Sequence, residues 1–208
     1  MSRTSVARAG RGILKGFLLL VCLTGTAWAQ RGALVVHRNL GELTDRAAVI
    51  VRGRVVEARV EKHPEFTALH TIVVTLRVTE TLKGDTAPSY TFRQYIWDLR
   101  DRRDVAGYRK GQEYVLLMNA PNEHGLTSPA GMEQGRFRIY RDRNGVEVSG
   151  NGHGNFGLFR GLDAQLAKRG RSLTPQSSRL VKSHRSGPIP AAELTRVIRE
   201  LVAGGASQ

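Results

Sequence analysis

Thr71-Ile72-Val73-Val74-Thr75-Leu76-Arg77-Val78-Thr79 is the stretch whose reading decides the fold. Ile72, Val74, Leu76 and Val78 alternate with Thr71, Thr75, Arg77 and Thr79, and alternate side chains reach opposite faces in an extended chain. The segment is therefore predicted as a half-buried antiparallel strand, apolar toward a core and polar toward water. Immediately upstream the same period runs through residues 48–60. Val49, Val51, Gly53 and Val55 share one face, the phase slips at Val55-Val56, and Ala58 and Val60 continue the apolar set. A slip beside a glycine predicts a β-bulge inside one long strand.

Working outward, Lys62-His63-Pro64-Glu65 reads as a turn, and Lys83-Gly84-Asp85 with Pro88 as another. Residues 90–97 form a third strand rich in aromatics, followed by a polar loop at 98–111. Glu113-Tyr114-Val115-Leu116-Leu117-Met118 is an unbroken apolar run, which predicts a strand covered on both sides. After a loop with Pro121, Gly125 and Pro129, Phe137 and Ile139 alternate with Arg136, Arg138 and Tyr140. Asp142-Arg143-Asn144-Gly145 then predicts a type I′ hairpin turn onto residues 146–148.

Helices flank these strands. Residues 39–46 predict a short one, with Asn39 as cap and Leu40 and Leu43 on one side. Pro190 predicts the first position of a C-terminal helix whose Leu194, Val197, Ile198 and Leu201 make an apolar stripe, ended by Gly204-Gly205. That stripe is expected to dock on the strands, where it would cover the Tyr95/Trp97 face. Residues 161–188 hold few large apolar side chains and read as a weak helix plus linker. No internal repeat is present. The class is mainly β, five to six short strands spaced as in a small barrel or sandwich.

The chain has 208 residues with 32 Lys+Arg against 18 Asp+Glu, a formal charge of +14, and its 40% hydrophobic and 24% charged content excludes a disordered or fibrous class. Arg outnumbers Lys 26 to 6, a bias that codon usage alone can produce. Arg3, Arg8, Arg11 and Lys15 precede and enter an apolar stretch at 13–23, and Ala27-Trp28-Ala29 follows as a signal-peptidase site. Residues 1–29 are thus expected to be a signal peptide, leaving Gln30 as the new terminus of a periplasmic or secreted protein. The apolar run is too short to cross ~30 Å of hydrocarbon, so no transmembrane segment is expected after cleavage. Cys22, preceded by Val21, does not fit a lipoprotein site. It is the one cysteine of the chain, so the mature protein is expected to lack disulfides, thiolate zinc sites and a Cys nucleophile.

The order DRAAVIVRGRVVEARV (45–60), VTETLKGD (78–85), FRQ (92–94), KGQEYVLLM (110–118) and GRFRI (135–139) resembles a family of exported bacterial proteins of unknown function. Their predicted fold is an OB-type barrel similar to tissue-inhibitor-of-metalloproteinase and netrin modules. The resemblance covers residues 40–159 and several pieces of the C-terminal part, and it implies a small OB-like antiparallel barrel at 30–159; composition and the apolar stripe add a basic linker-like segment at 160–188 and a packed C-terminal helix at 189–208. Its motifs, Gly53 at the bulge, Leu82-Lys83-Gly84 at a turn and Gly111 before the covered strand, speak to fold rather than chemistry. The inhibitors similar in fold chelate zinc with an N-terminal Cys, a residue that the expected mature chain lacks.

No catalytic set is recognisable. His37, His63, His70, His124, His153 and His184 show no metal-ligand spacing, so neither metal nor cofactor is expected. Asp98, Asp101 and Asp104 are interleaved with Arg100, Arg102 and Arg103 and read as a solvated loop. Residues 152–157 spell G-x-G-x-x-G, but no βαβ unit surrounds them, and turn geometry is the better reading. What remains is binding. Tyr90 and Phe92 are predicted to face the core, with Tyr95, Trp97 and Arg93 on the opposite face beside Arg100, Arg102 and Arg103, a mixture suited to stacking and cationic contacts.

The charge divides unevenly. The leader carries +4, residues 30–159 carry nineteen bases against fifteen acids, residues 160–188 carry +6, and residues 189–208 are neutral. Lys168, Arg169, Arg171, Arg179, Lys182 and Arg185 are the residues expected to contact an anion. The expected function is a non-enzymatic binding module for an envelope protein or an anionic envelope polymer, with no nucleic-acid partner because the chain is exported. A hydrolase with an unrecognised site, or a purely structural accessory domain, are the alternatives.

Overall fold

Two fourteen-residue strands, β1 (Val49–Lys62) and β2 (His70–Lys83), pair antiparallel along their length and set the frame for the rest. The computed structural model describes residues 36–96 and 99–205, all within one unit, Val36–Gln208. The predicted leader, Cys22, Gln30 and Trp97 lie outside the described residues. Val55 stands opposite Leu76 and Glu57 opposite Thr75, so Val56 is the extra residue of a bulge at the predicted phase slip. Further register shifts lie at Ile50/Val51 and Arg52/Gly53. Gly53 is needed there because a Cβ would stand 2.8 Å from the Arg77 carbonyl oxygen.

Five shorter strands complete the sheet: β3 (Ser89–Tyr95), β4 (Glu113–Met118), β5 (Arg136–Arg141), β6 (Glu147–Gly150) and β7 (Ile189–Pro190). Among the described residues the order is β3-β2-β1-β4-β5-β6-β7, antiparallel throughout, and this ladder is not closed. Two isolated bridges lie outside it, Arg93 to Leu126 (parallel) and Met118 to Pro129 (antiparallel). The sheet thus has seven strands where the spacing predicts five or six. β7 is two residues long, too short for any periodicity to reveal.

The predicted helix at 39–46 is α1 (Leu40–Arg46). The Asn39 side chain accepts from Glu42 N at 3.0 Å while the Glu42 carboxylate accepts from Asn39 N at 3.0 Å, a reciprocal capping box. Three expectations for loops are corrected. The polar loop at 98–111 contains α2 (Leu99–Asp104) and a 3-10 turn, Val105–Gly107. The linker-like segment folds into α3 (Leu162–Lys168) and α4 (Pro175–Ser183), whose Leu162, Leu166 and Val181 are buried in the core. The hairpin at 142–145 is not type I′: only Gly145 has a positive φ (76°), and its N–H bonds the Asp142 carbonyl. The Asp142 side chain accepts from Asn144 N and Val146 N, each at 2.9 Å, and this local capture stabilises a type I turn followed by a left-handed glycine.

The C-terminal helix, α5 (Ala191–Ala203), begins one residue later than predicted, because Pro190 stands at its cap and pairs with Val148 in the sheet. Apolar side chains form two clusters on opposite faces of β4. Tyr114, Leu116 and Met118 join Val51, Val55, Ile72, Val74, Leu76, Phe92 and Tyr108, whereas Val115 and Leu117 join Leu40, Leu43, Phe137, Leu158 and the α5 stripe. The unbroken apolar run thus serves two cores, as predicted. Leu194, Val197 and Ile198 are fully buried in the second cluster, each contributing about 1.5–3 kcal/mol. The stripe is thus spent on the cluster of Leu40, Phe137 and Leu158, while Tyr95 stays 40% exposed, and the expectation that it would cover the Tyr95 face is corrected. Among the described residues no helix is long and apolar enough to cross a membrane.

Candidate functional site

On β3 the alternation places Phe92 and Gln94 inward, nearly inaccessible, and Arg93 and Tyr95 on the opposite face. Tyr95 is 40% exposed and lines a cleft of about 520 Å³ with Asn119, Asn122, Leu126 and Ser128. Arg93 is committed within the fold: Nη1 donates to Thr71 Oγ1 at 2.7 Å and Nη2 to Glu61 Oε2 at 3.0 Å. Arg100, Arg102 and Arg103 are exposed on α2, with Arg102 Nη2 3.4 Å from His70 Nε2. The structure thus brings Tyr95 and Arg93 to one face, but Arg93 serves the strand pairing rather than an open surface.

The basic segment divides into structural and free cations. Arg169 pairs with Asp45 at 2.8 Å, and Arg171 Nη2 donates to the carbonyls of Glu200 (3.2 Å) and Leu201 (2.7 Å) at the end of α5. Arg171 is thus engaged within the fold, and the exposed Arg169 shares its charge with Asp45. Lys168, Arg179, Lys182 and Arg185 are exposed, with no carboxylate partner among the described residues. Arg179 and Lys182 are spaced i, i+3, opposite the buried Ser177 and Val181. Beyond the end of α4, Phe156, Phe159, Arg160, Val181, His184 and Arg185 line a cleft of about 230 Å³. Phe156 is 56% exposed, and the Arg160 guanidinium lies 5.3 Å over its ring. His184 packs edge-on against Phe159, and burial together with the nearby Arg185 holds it below the ordinary histidine value.

The Gly-rich loop after β6 is not an anion nest. Every backbone N–H from residue 151 to 158 has an acceptor inside the protein, several of them on Asn151 and Asn155. It does border a further cleft, of about 350 Å³, that sequence reasoning missed. Arg109, Gln112, Tyr114, Glu133, Arg136 and Arg138 line it. The outward alternation of Arg136 and Arg138 was the legible signal; their meeting with Arg109 from the 3-10 connection was not. Arg136 lies 4.7 Å over the buried Tyr108 ring and pairs with Glu133 at 2.6 Å. Burial pushes the Tyr108 and Tyr114 hydroxyls above the ordinary tyrosine value, with Arg136 opposing the shift, so both stay protonated.

The histidines do not assemble a metal centre: among the described residues no three His, Cys, Asp or Glu side chains converge to hold an ion. His63 is buried and bonded, its Nε2 2.9 Å from the His124 carbonyl and its Nδ1 accepting from Glu65 N and Phe66 N at 3.2 Å. No family model, curated protein or solved structure matches the chain. The geometry of the surface is therefore what bears on function.

Proposed function

We propose that the protein is an exported, non-enzymatic binding module that docks on an anionic envelope polymer through α4 and the cleft beyond it. One observation carries this reading: Arg160 lies over the exposed Phe156 ring and Arg185 lines the same cleft, Arg179 and Lys182 are exposed on the adjoining α4, and none of the four is paired with a carboxylate among the described residues. Several cations on one rigid surface attract a polyanion additively and in a salt-dependent way, and an aromatic ring under a guanidinium adds a stacking surface. An OB-type barrel belongs to the same proposal. It is supported by the bridges from Arg93 to Leu126 and from Met118 to Pro129, which link β3 toward β4 through the 119–129 connection. At low salt the purified chain should be retained on immobilised alginate, and raising the salt should release it. Substituting Arg179→Gln, Lys182→Gln and Arg185→Gln together should abolish retention; unchanged retention would remove the reading.

A second reading, an envelope protein as partner, is favoured by the exposed Tyr95 beside its cleft. A partner recovered from envelope extracts that is lost on Tyr95→Ala with Arg102→Ala would support it, and recovery unaffected by both changes would count against it.

A further inference from the structure

We propose that the cleft between β4, β5 and the 3-10 connection binds the oxyanion group of a small ligand, a carboxylate or a phosphate, through Arg109 and Arg138. Its volume of about 350 Å³ falls within the range of small-ligand sites. The one carboxylate in the lining, Glu133, is already neutralised by Arg136 at 2.6 Å. Neither Arg109 nor Arg138 has an acidic partner among the described residues, so the lining keeps two uncompensated guanidiniums. A guanidinium offers a planar fork of donors that matches the two oxygens of a carboxylate or of one phosphate edge. A neutral donor stands beside them: Gln112 Oε1 accepts from the Tyr114 hydroxyl at 2.5 Å, which leaves the Gln112 amide N–H groups for another acceptor.

The wall of the cleft is held in place before any ligand arrives. Val105 (φ 51°) and Ala106 (φ 52°) both occupy the left-handed region, followed by Gly107 (φ 75°). For a β-branched residue that conformation is a costly exception, and such strain persists only where neighbours enforce it. The enforcing group is a lining residue itself: Arg136 Nη1 donates to the Ala106 carbonyl at 2.5 Å. The stack on Tyr108 fixes Arg136 from behind. A wall ordered in advance removes that part of the ordering cost on binding, leaving only the Arg109 and Arg138 side chains to be fixed by the ligand. The loop amides at residues 151 and 152 are committed to Asn155 Oδ1 and the Glu133 carbonyl, so the recognition comes from side chains.

The test is calorimetric titration of the full chain with inorganic phosphate and, separately, with succinate, each against sodium chloride at matched ionic strength. Saturable binding of at least one of the two is expected, and which one binds distinguishes the tetrahedral from the planar anion. Arg109→Gln and Arg138→Gln should each weaken it roughly tenfold or more, as expected for the loss of a charge-assisted contact, with Arg138→Lys intermediate. Neither guanidinium makes a hydrogen bond or ion pair among the described residues, and Arg138 has only a contact at 5.9 Å over the exposed Tyr140 ring, so the variants should keep the unliganded circular dichroism spectrum and a melting point within a few degrees of the parent. Arg179→Gln, on the proposed polymer surface, should leave this binding unchanged, which separates the two proposals. Binding that chloride reproduces at equal ionic strength, or that survives both glutamine variants, would overturn the inference.

Discussion

Arg171, between α3 and α4, reaches the last turn of α5, where its Nη2 lies 2.7 Å from the Leu201 carbonyl oxygen. Terminal helix carbonyls lack intrahelical partners, and a cation at that end also meets the negative pole of the helix dipole. The packing is close enough that a Cβ on Gly204 would overlap the guanidinium. Arg171→Ala should therefore lower stability by about 1–3 kcal/mol in urea unfolding, the cost of freeing two carbonyls from a charged donor. Arg179→Ala, on the exposed side of α4, should change it by no more than about 0.5 kcal/mol.

Acid should weaken the same corner of the molecule in two stages. Burial alone would raise the Glu200 carboxyl, but Ser177 Oγ (2.6 Å), Thr174 N (2.9 Å) and Thr174 Oγ1 (2.8 Å) donate to it and hold it below the ordinary value of about 4.5. A carboxyl depressed on folding stabilises the protein above its unfolded value, and that contribution disappears as pH falls through the folded value. His184, depressed by burial and by Arg185, is neutral in the fold, so its contribution is present above about 6.5 and declines as pH falls below that. Urea midpoints measured from pH 8 down to about 3 should fall in both windows. Glu200→Gln should flatten the lower step, and His184→Leu the upper one. His184→Leu should also leave neutral-pH stability unchanged or raised, because Nε2 is a buried donor or acceptor without a hydrogen-bond partner among the described residues.

Sequence patterns reveal some of these elements and miss others. Strands β1, β2 and β4 were legible because each has one or two faces against a core, so burial imposes a period or an unbroken apolar run. Helices α3 and α4 were legible only as one weak helix in a linker, because each contributes only two or three side chains to the core and fills its exposed side with polar and basic residues. Two local signals were nonetheless present: Leu162 and Leu166 at i, i+4, and Thr174-Pro175, where the Thr174 side chain caps α4 and proline takes the first turn. The candidate sites were less legible still. The meeting of Arg109 with Arg138 depends on a left-handed Val105-Ala106 turn that no propensity predicts. The destination of the α5 stripe depends on which of two cores it joins.

Gly53 joins β1 to β2 at a place where a methyl group has no room. The atom nearest to an added Cβ would be backbone, the Arg77 carbonyl oxygen, with Leu76 Cβ next at 3.3 Å, so relief requires moving the strand rather than rotating a side chain. Gly53→Ala should cost about 1–3 kcal/mol by overpacking. Val56→Ala removes an exposed side chain at the bulge and should cost no more than about 0.5 kcal/mol. Equal effects of the two changes in chemical denaturation would show that the bulge itself, and not the close approach at Gly53, limits the pairing.

His63, only 2% exposed, fastens the β1–β2 turn to the 119–129 connection. Because Nδ1 accepts the backbone N–H groups of Glu65 and Phe66, the ring proton sits on Nε2 and is donated to the His124 carbonyl at 2.9 Å. Phe66 stacks between the two histidines, 5.1 Å from the His63 ring and 4.9 Å from that of His124. His63→Ala would strand two donors and one acceptor, and it should cost about 1–3 kcal/mol in urea unfolding. The loss should be local as well as global, with faster amide exchange at Phe66 and Leu69, whose N–H groups bond within this turn. Phe66→Ala removes a ring that is 44% exposed and leaves those hydrogen bonds intact, so it should cost less than His63→Ala. The reverse order would mean that ring stacking, and not the hydrogen bonds of His63, holds the connection to the sheet.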